Sequence, residues 1–204
     1  MNSNPVHLFV FDGMADWEPS FAIAAINNPQ FQSHPGRYRV VAAGINLALV
    51  TTMGGMRIVP EVSLGDVSPQ SSSLLILPGG QAWEQGGNSE AVAMASRFIA
   101  ADVPVAAICA ATLALARAGL LDDRRHTSNA APFIAASGYK GAQFYLDAPA
   151  VTDGNVITAS GIAPIEFARE IFRILDVYSP AVIDAWFALY KDGDSSRFYQ
   201  LSRA

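Results

Sequence analysis

Apolar runs of strand length recur along this chain and alternate with segments of helical spacing, which leaves few folds open. Residues 6–11, Val-His-Leu-Phe-Val-Phe, are almost continuously apolar, as expected for a strand covered on both faces. The run stops at Asp12-Gly13, and Glu18-Pro19 leads into helical spacing over residues 20–26, proline being suited to a first helical turn. Residues 38–43 read as the next parallel strand, and residues 47–51 with 56–59 as a short hairpin across Gly54-Gly55. Residues 74–77 are a further strand running into Pro78-Gly79-Gly80, followed by helical spacing over 88–101. Residues 103–108 form a strand that turns straight into a helix from Ala110, and residues 125–128 are a short strand candidate. Asp153-Gly154-Asn155 marks a hairpin between 150–152 and 156–158. Amphipathic helices over 164–175 and from Pro180 to about Tyr190 precede a polar tail. Such alternation implies an α/β, doubly wound, mostly parallel sheet with helices on both faces.

Composition narrows the function. Hydrophobic residues make up 51% of the 204 and charged residues 15%, so much of the surface of each element must be interior or subunit interface, and a homo-oligomer is expected. The net charge of −5 speaks against a phosphate-binding surface, hence against nucleic acid as a partner. One cysteine and three histidines provide neither a disulfide framework nor a zinc-ligand spacing, so no metal is expected. The N-terminus lacks the features of a signal peptide, and the longest apolar stretch, near residues 103–116, contains Pro104 and is too short for a bilayer. A cytoplasmic protein with no membrane partner is expected.

The single cysteine, Cys109, lies between the 103–108 strand and the helix that follows. A residue there sits on a sharp bend, projects from the carboxyl edge of the sheet, and has its anion favoured by the helix dipole. Its thiol is expected to ionise more readily than a free one; the competing reading is a small buried hydrophobe. Ligands of doubly wound sheets bind outside the carboxyl ends of the strands, and the loops 12–18 and 78–83 converge with Cys109 at that edge. Trp17 and Trp83 flank these loops and are candidate pocket walls, as is Tyr145, although aromatic residues more often serve the core.

These residues carry a resemblance. Phe11-Asp12-Gly13 leading to Glu18, Leu77-Pro78-Gly79-Gly80, Ala107-Ile108-Cys109 with its small-residue helix, and Ile157-Thr-Ala-Ser160 before Glu166 resemble the DJ-1/PfpI family, within the class I glutamine amidotransferase-like group. The resemblance implies a flavodoxin-like three-layer domain spanning 1–204 with a helical extension at about 177–204, and a homodimer. It also implies a cofactor-free site in which Cys109 is the nucleophile, Glu18 its neighbouring acid, and Gly80 and Ala110 backbone donors to an oxyanion, with the Gly79-Gly80 turn allowing close approach. Many relatives carry a histidine directly after the cysteine or at the close of a Thr-Thr-His-like segment; here Ala110 and Asn129 stand in those places. His126 is the nearest substitute in sequence and is kept as a catalytic candidate.

Without the usual histidine, proteolysis and glutamine hydrolysis are disfavoured, since an amine leaving group requires a general acid. Chemistry on a small reactive carbonyl compound makes fewer demands, and the resemblance implies a reaction on a small reactive carbonyl or acyl compound, of glyoxalase, deglycase or amidohydrolase type. The alternatives are a redox-sensing stress-response protein using the same thiol and a non-catalytic binding protein with an inert cysteine.

Overall fold

The computed structural model describes residues 3–201. Its strands are β1 (Asn4–Phe9), β2 (Tyr38–Gly44), β3 (Val50–Thr51), β4 (Arg57–Ile58), β5 (Val62–Ser63), β6 (Leu74–Leu77), β7 (Val105–Ile108), β8 (Ala150–Asp153) and β9 (Val156–Ala159). Seven form one sheet in the order β5-β2-β1-β6-β7-β9-β8, and β3 and β4 form a separate hairpin. Neighbours in the main sheet are parallel except β8, which returns antiparallel on β9. Every residue of β6 and β7 is buried, the result expected when an unalternating apolar strand is covered on both faces.

The helices are α1 (Trp17–Asn27), α2 (Gln81–Glu84), α3 (Ser89–Ala100), α4 (Ala110–Arg117), α5 (Ala131–Ala135), α6 (Pro164–Leu175), α7 (Pro180–Lys191) and α8 (Arg197–Leu201). α1, α6, α7 and α8 pack into one layer, α2 to α5 into the other. The arrangement is the flavodoxin-like three-layer α/β fold. Pro164 and Pro180 open α6 and α7, where their missing N–H would lack an intrahelical partner anyway. Ser179 caps α7 by accepting from Val182 N–H at 3.4 Å. The two helices are locked by Phe172, whose ring meets Trp186 edge-on at 4.9 Å and Tyr178 at 5.1 Å. Among the described residues no helix is long and apolar enough to cross a membrane.

The sequence reading needs correction in several places. α1 starts at Trp17, ahead of Pro19, so Glu18 lies within the first helical turn rather than before it. Residues 125–128 form no strand; they contribute one parallel bridge, His126 to Tyr145. The polar tail after Gly193 contains α8, anchored by buried Leu201. The hairpin is shorter than its apolar pattern suggests, because Leu47, Met53, Met56 and Val59 stay at least half exposed. It is tied to the loop after β1: Asp12 Oδ1 accepts Thr51 N–H at 2.7 Å, and Asp16 Oδ2 accepts Thr52 Oγ1–H at 2.6 Å and Gly54 N–H at 2.9 Å.

Phe172 is fully buried, and Phe172→Ala is expected to lower unfolding stability by about 3–5 kcal/mol, the usual loss for emptying an aromatic core site. Chemical denaturation followed by tryptophan fluorescence measures this; a loss below about 1 kcal/mol would show that α7 is held by other contacts.

Candidate active site

Cys109 occupies the bend between β7 and α4 with φ 59° and ψ −130°, a backbone state that costs a non-glycine residue on the order of 1–3 kcal/mol. Two sets of bonds hold it there. Its N–H donates to Ala159 O of β9 at 3.0 Å, extending the ladder by one residue. Its carbonyl accepts from Thr112 N–H at 3.1 Å and from Thr112 Oγ1–H at 2.6 Å. Thr112 is fully buried and shares a further 2.6 Å hydrogen bond with Ser128 Oγ.

Glu18 approaches the thiol from the first turn of α1 and is fully buried. Its Oε2 accepts Gly79 N–H at 2.5 Å. Its Oε1 has no hydrogen-bond partner among the described residues, and the carboxyl group as a whole interacts with the Cys109 side chain. Only backbone without Cβ fits around this pair. A Cβ on Gly79 would stand 2.6 Å from Cys109 Cβ and 2.8 Å from Glu18 Oε2; one on Gly161 would stand 2.8 Å from Cys109 Sγ and 3.1 Å from Glu18 Oε1.

Burial raises the Glu18 carboxyl to about 7, only partly offset by the Gly79 N–H and the thiol. The Cys109 thiol is pushed up to about 11, first by burial and then by the charge on Glu18, against the pull of the Asn129 and Ala110 donors. This reverses the expectation of an easily ionised thiol: burial first, and then the charge on Glu18, outweigh the donors at the helix start. Between those values the two groups hold one proton between them and titrate as a coupled pair.

Asn129 stands where the sequence lacks histidine, and it acts as a fixed donor. Its Nδ2 donates to Cys109 Sγ at 3.3 Å while its Oδ1 accepts Gly161 N–H at 2.9 Å. The second bond sets the amide so that N–H, not C=O, faces the sulfur. The Ala110 N–H at the start of α4 also favours the charged form of the thiol.

The structure thus gathers Cys109, Glu18, Gly79, Ala110 and Asn129 into one cluster, with Gly80 adjoining in the turn. Gly79 has its N–H committed to Glu18, so it supplies clearance rather than an oxyanion donor. Gly80, at φ 155°, has no room for a Cβ, which would meet the Phe11 ring at 2.8 Å and Gly13 O at 2.9 Å. Trp83 is not a pocket wall: it is fully buried, donates Nε1–H to Pro78 O at 2.8 Å, and packs edge-on against Phe9 and Phe11. Trp17 is half exposed on α1, and Tyr145 packs on His126.

His126 is not brought to the thiol. It is fully buried, with Nδ1 on Arg124 O and Nε2 on the Tyr139 hydroxyl, each at 2.8 Å, so both ring nitrogens are occupied elsewhere. His7 bonds Ser72 Oγ at 3.1 Å and His34 is exposed in a loop. Sequence reasoning did not single out Thr112, Ser128 or Gly161. The available signal was positional: Thr112 in the turn after the cysteine, Ser128 beside Asn129, and Gly161 just beyond β9.

An α/β fold of this order with a cysteine elbow at its carboxyl edge defines a class, and the comparisons agree. The DJ-1/PfpI family model matches residues 4–174, and the chain belongs to that family. A Bacillus subtilis protein named uncharacterized protease YoaZ is 39% identical over 204 residues, covering 98% of this chain and 97% of the relative. The crystal structure of a thiJ/pfpI family protein from Bacillus anthracis matches with a TM-score of 0.92 at 39% identity, covering 100% of this chain and 97% of the other. Deglycase PH1704 from Pyrococcus horikoshii is 29% identical over 140 residues, 68% of this chain and 83% of the relative. The family therefore includes proteins named as enzymes of different reaction types.

The raised Glu18 carboxyl has a thermodynamic consequence. Folded, it holds its proton up to about 7; its ordinary value is 4.5. Between these values the folded state keeps a proton that the unfolded chain releases, so stability falls as pH rises through that window, by ~3 kcal/mol in all, and levels off above it. Glu18→Gln cannot ionise. Its stability relative to wild type is expected to be near zero around pH 4.5 and to favour the variant by ~3 kcal/mol at pH 8. Denaturation at both pH values checks this; an equal difference at the two would show that Glu18 is charged in the folded state throughout.

Proposed function

We propose that this protein is a cofactor-independent cysteine enzyme that acts on small reactive carbonyl compounds, in the manner of a glyoxalase or deglycase. The observation that carries the reading is the buried Glu18 carboxyl set against the Cys109 thiol, with Asn129 rather than histidine as the third group. A carboxyl raised to about 7 is matched to proton transfer near neutral pH.

With an α-oxo-aldehyde, the sulfur adds to the aldehyde carbon, the carbonyl π electrons move to oxygen, and the thiol proton passes to Glu18. The N–H groups of Gly80 and Ala110, at the turn and the helix start, are the donors for that oxygen. Glu18 returns the proton to the oxygen, giving a hemithioacetal. The carboxylate then removes the hydrogen from this carbon as a proton, the freed electron pair forms a C=C bond to the neighbouring carbon, and the neighbouring carbonyl electrons move to its oxygen, giving an enediolate. Glu18 returns the proton to the neighbouring carbon while the hydroxyl proton passes from the first oxygen to the second, restoring a carbonyl at the sulfur-bearing carbon. The product is a thioester of a 2-hydroxy acid, which water cleaves to regenerate the thiol. Oxidation of one carbon is balanced by reduction of its neighbour, so no external redox partner is required.

A protease reading, which the name of one relative carries, needs a proton donor for an amine leaving group. His126 and His7 are hydrogen-bonded elsewhere and Asn129 carries no transferable proton, so an amine leaving group would have to take its proton from Glu18, without the histidine that usually serves.

Turnover of methylglyoxal and phenylglyoxal tests the proposal. Cys109→Ser is expected to abolish it, and Glu18→Gln to lower kcat by about 10²- to 10⁴-fold, the span of general acid–base catalysis. The wild-type kcat/KM is expected to rise with pH through about 7 as Glu18 loses its proton. Full activity in Cys109→Ser, or a pH profile identical in Glu18→Gln, would overturn the assignment.

A further inference from the structure

On the other side of Asn129, whose amide bonds Cys109 Sγ at 3.3 Å, lies a cavity of about 270 Å³ lined also by Ser128 and by Ser160, Ile162 and Ala163 of the turn after β9. Gly161 of that turn lies directly against Cys109 Sγ. The far wall is built by Glu166, in the first turn of α6, and Lys191, the last residue of α7. Lys191 Nζ pairs with Glu166 Oε1 at 2.7 Å. α7 is seated on α6 by Phe172 against Trp186 and by Arg169 stacked 3.9 Å above the Phe187 ring, so rigid elements present the pair.

The accessibility of the two partners differs in a way that selects a ligand. Glu166 is 4% exposed, and its second oxygen, Oε2, is sealed from solvent without a hydrogen-bond partner. The Lys191 side chain is 43% exposed. Nothing entering the cavity reaches the free carboxylate oxygen, whereas the ammonium keeps N–H donors that Glu166 does not use. Asp147 also lines the cavity and is exposed, as Lys191 is. Salt screens its repulsion of an anion and the attraction by Lys191 alike, and only the ammonium can donate hydrogen bonds to that anion. At the opposite end Ile162, 91% exposed, offers an apolar edge. A few placed polar groups in a partly apolar recess is the usual make-up of a small-molecule subsite.

We infer that Lys191 is a specificity-determining residue that receives a carboxylate of the substrate at the end remote from the reacting carbon, with Glu166 holding the ammonium in place. The subsite rests on Cys109 being the reacting group, as proposed above. It depends on a helix beyond residue 174, where the match to the family model ends. The elbow is thus built from the family's shared region, and this part of the cavity from the C-terminal helix.

Alkylation of the single cysteine tests this without any assumption about turnover. The reagents are the iodoacetyl derivative of β-alanine, which carries a carboxylate, and its uncharged amide, with intact mass as the readout. Wild type is expected to react faster with the carboxylate reagent by about fivefold at low salt, the scale of one partly exposed charge pair, and to lose that preference at high salt. Lys191→Met is expected to bring the ratio of the two rates to about one, and Lys191→Arg to preserve it. The ratio is taken within each variant, so a general change in folding or thiol reactivity cancels. A ratio that is the same in wild type and Lys191→Met overturns the subsite while leaving the cysteine assignment standing. Failure of the native wild-type thiol to react with either reagent, with labelling after denaturation, overturns both.

Discussion

The site depends on one buried hydrogen bond, from the Gly79 N–H to Glu18 Oε2. It links the start of α1 to the turn after β6 and fixes a carboxyl group against the Cys109 side chain. Removing that carboxyl from water is unfavourable for its charged form, and the thiol beside it raises the difficulty of placing a second negative charge there. The proton shared by the two groups follows from this confinement. Gly79 and Gly161 permit it, because a Cβ at either position would occupy the space in which sulfur and carboxyl meet.

Strain and electrostatics are supported by different neighbours. Thr112, itself bonded to Ser128, and the Ala159 carbonyl hold the backbone of the bend, whereas Asn129 and Ala110 address the sulfur. Asn129 joins the two, since its hydrogen bond from Gly161 N–H also defines the edge of the cavity that Lys191 closes. An amide in this position gives the sulfur a donor that carries no proton to transfer. Proton movement is thereby left to Glu18.

The sheet was legible because its central strands are unbroken apolar runs, which only a doubly covered parallel sheet accommodates. Cys109 was legible from its place between β7 and α4, and Glu18 as its neighbour from the family resemblance, although it lies inside the first turn of α1 rather than ahead of it. What escaped was whatever depended on side-chain direction. His126 reads as a catalytic candidate by its nearness to Asn129 in sequence, yet its ring turns to Tyr139 and Arg124. Trp83 flanks a site loop but points inward, since Phe9 and Phe11 offer it an aromatic pocket. The direction of the thiol's shift was also beyond the sequence, because a helix terminus announces itself in local pattern, whereas the burial of the sulfur and a carboxylate 91 residues away do not.

The groups around the sulfur come from residues 18, 79, 109, 129 and 161, on segments spread across most of the described chain. No hairpin or single strand–helix unit contains enough of them to hold the thiol and carboxyl together. Long-range closures of this kind come late relative to local structure and are slow to form. The environment of Cys109 is therefore a property of the completed chain. A fragment that ends before β9 would lack both the Ala159 acceptor and the Gly161 backbone, and its cysteine would behave as an ordinary thiol.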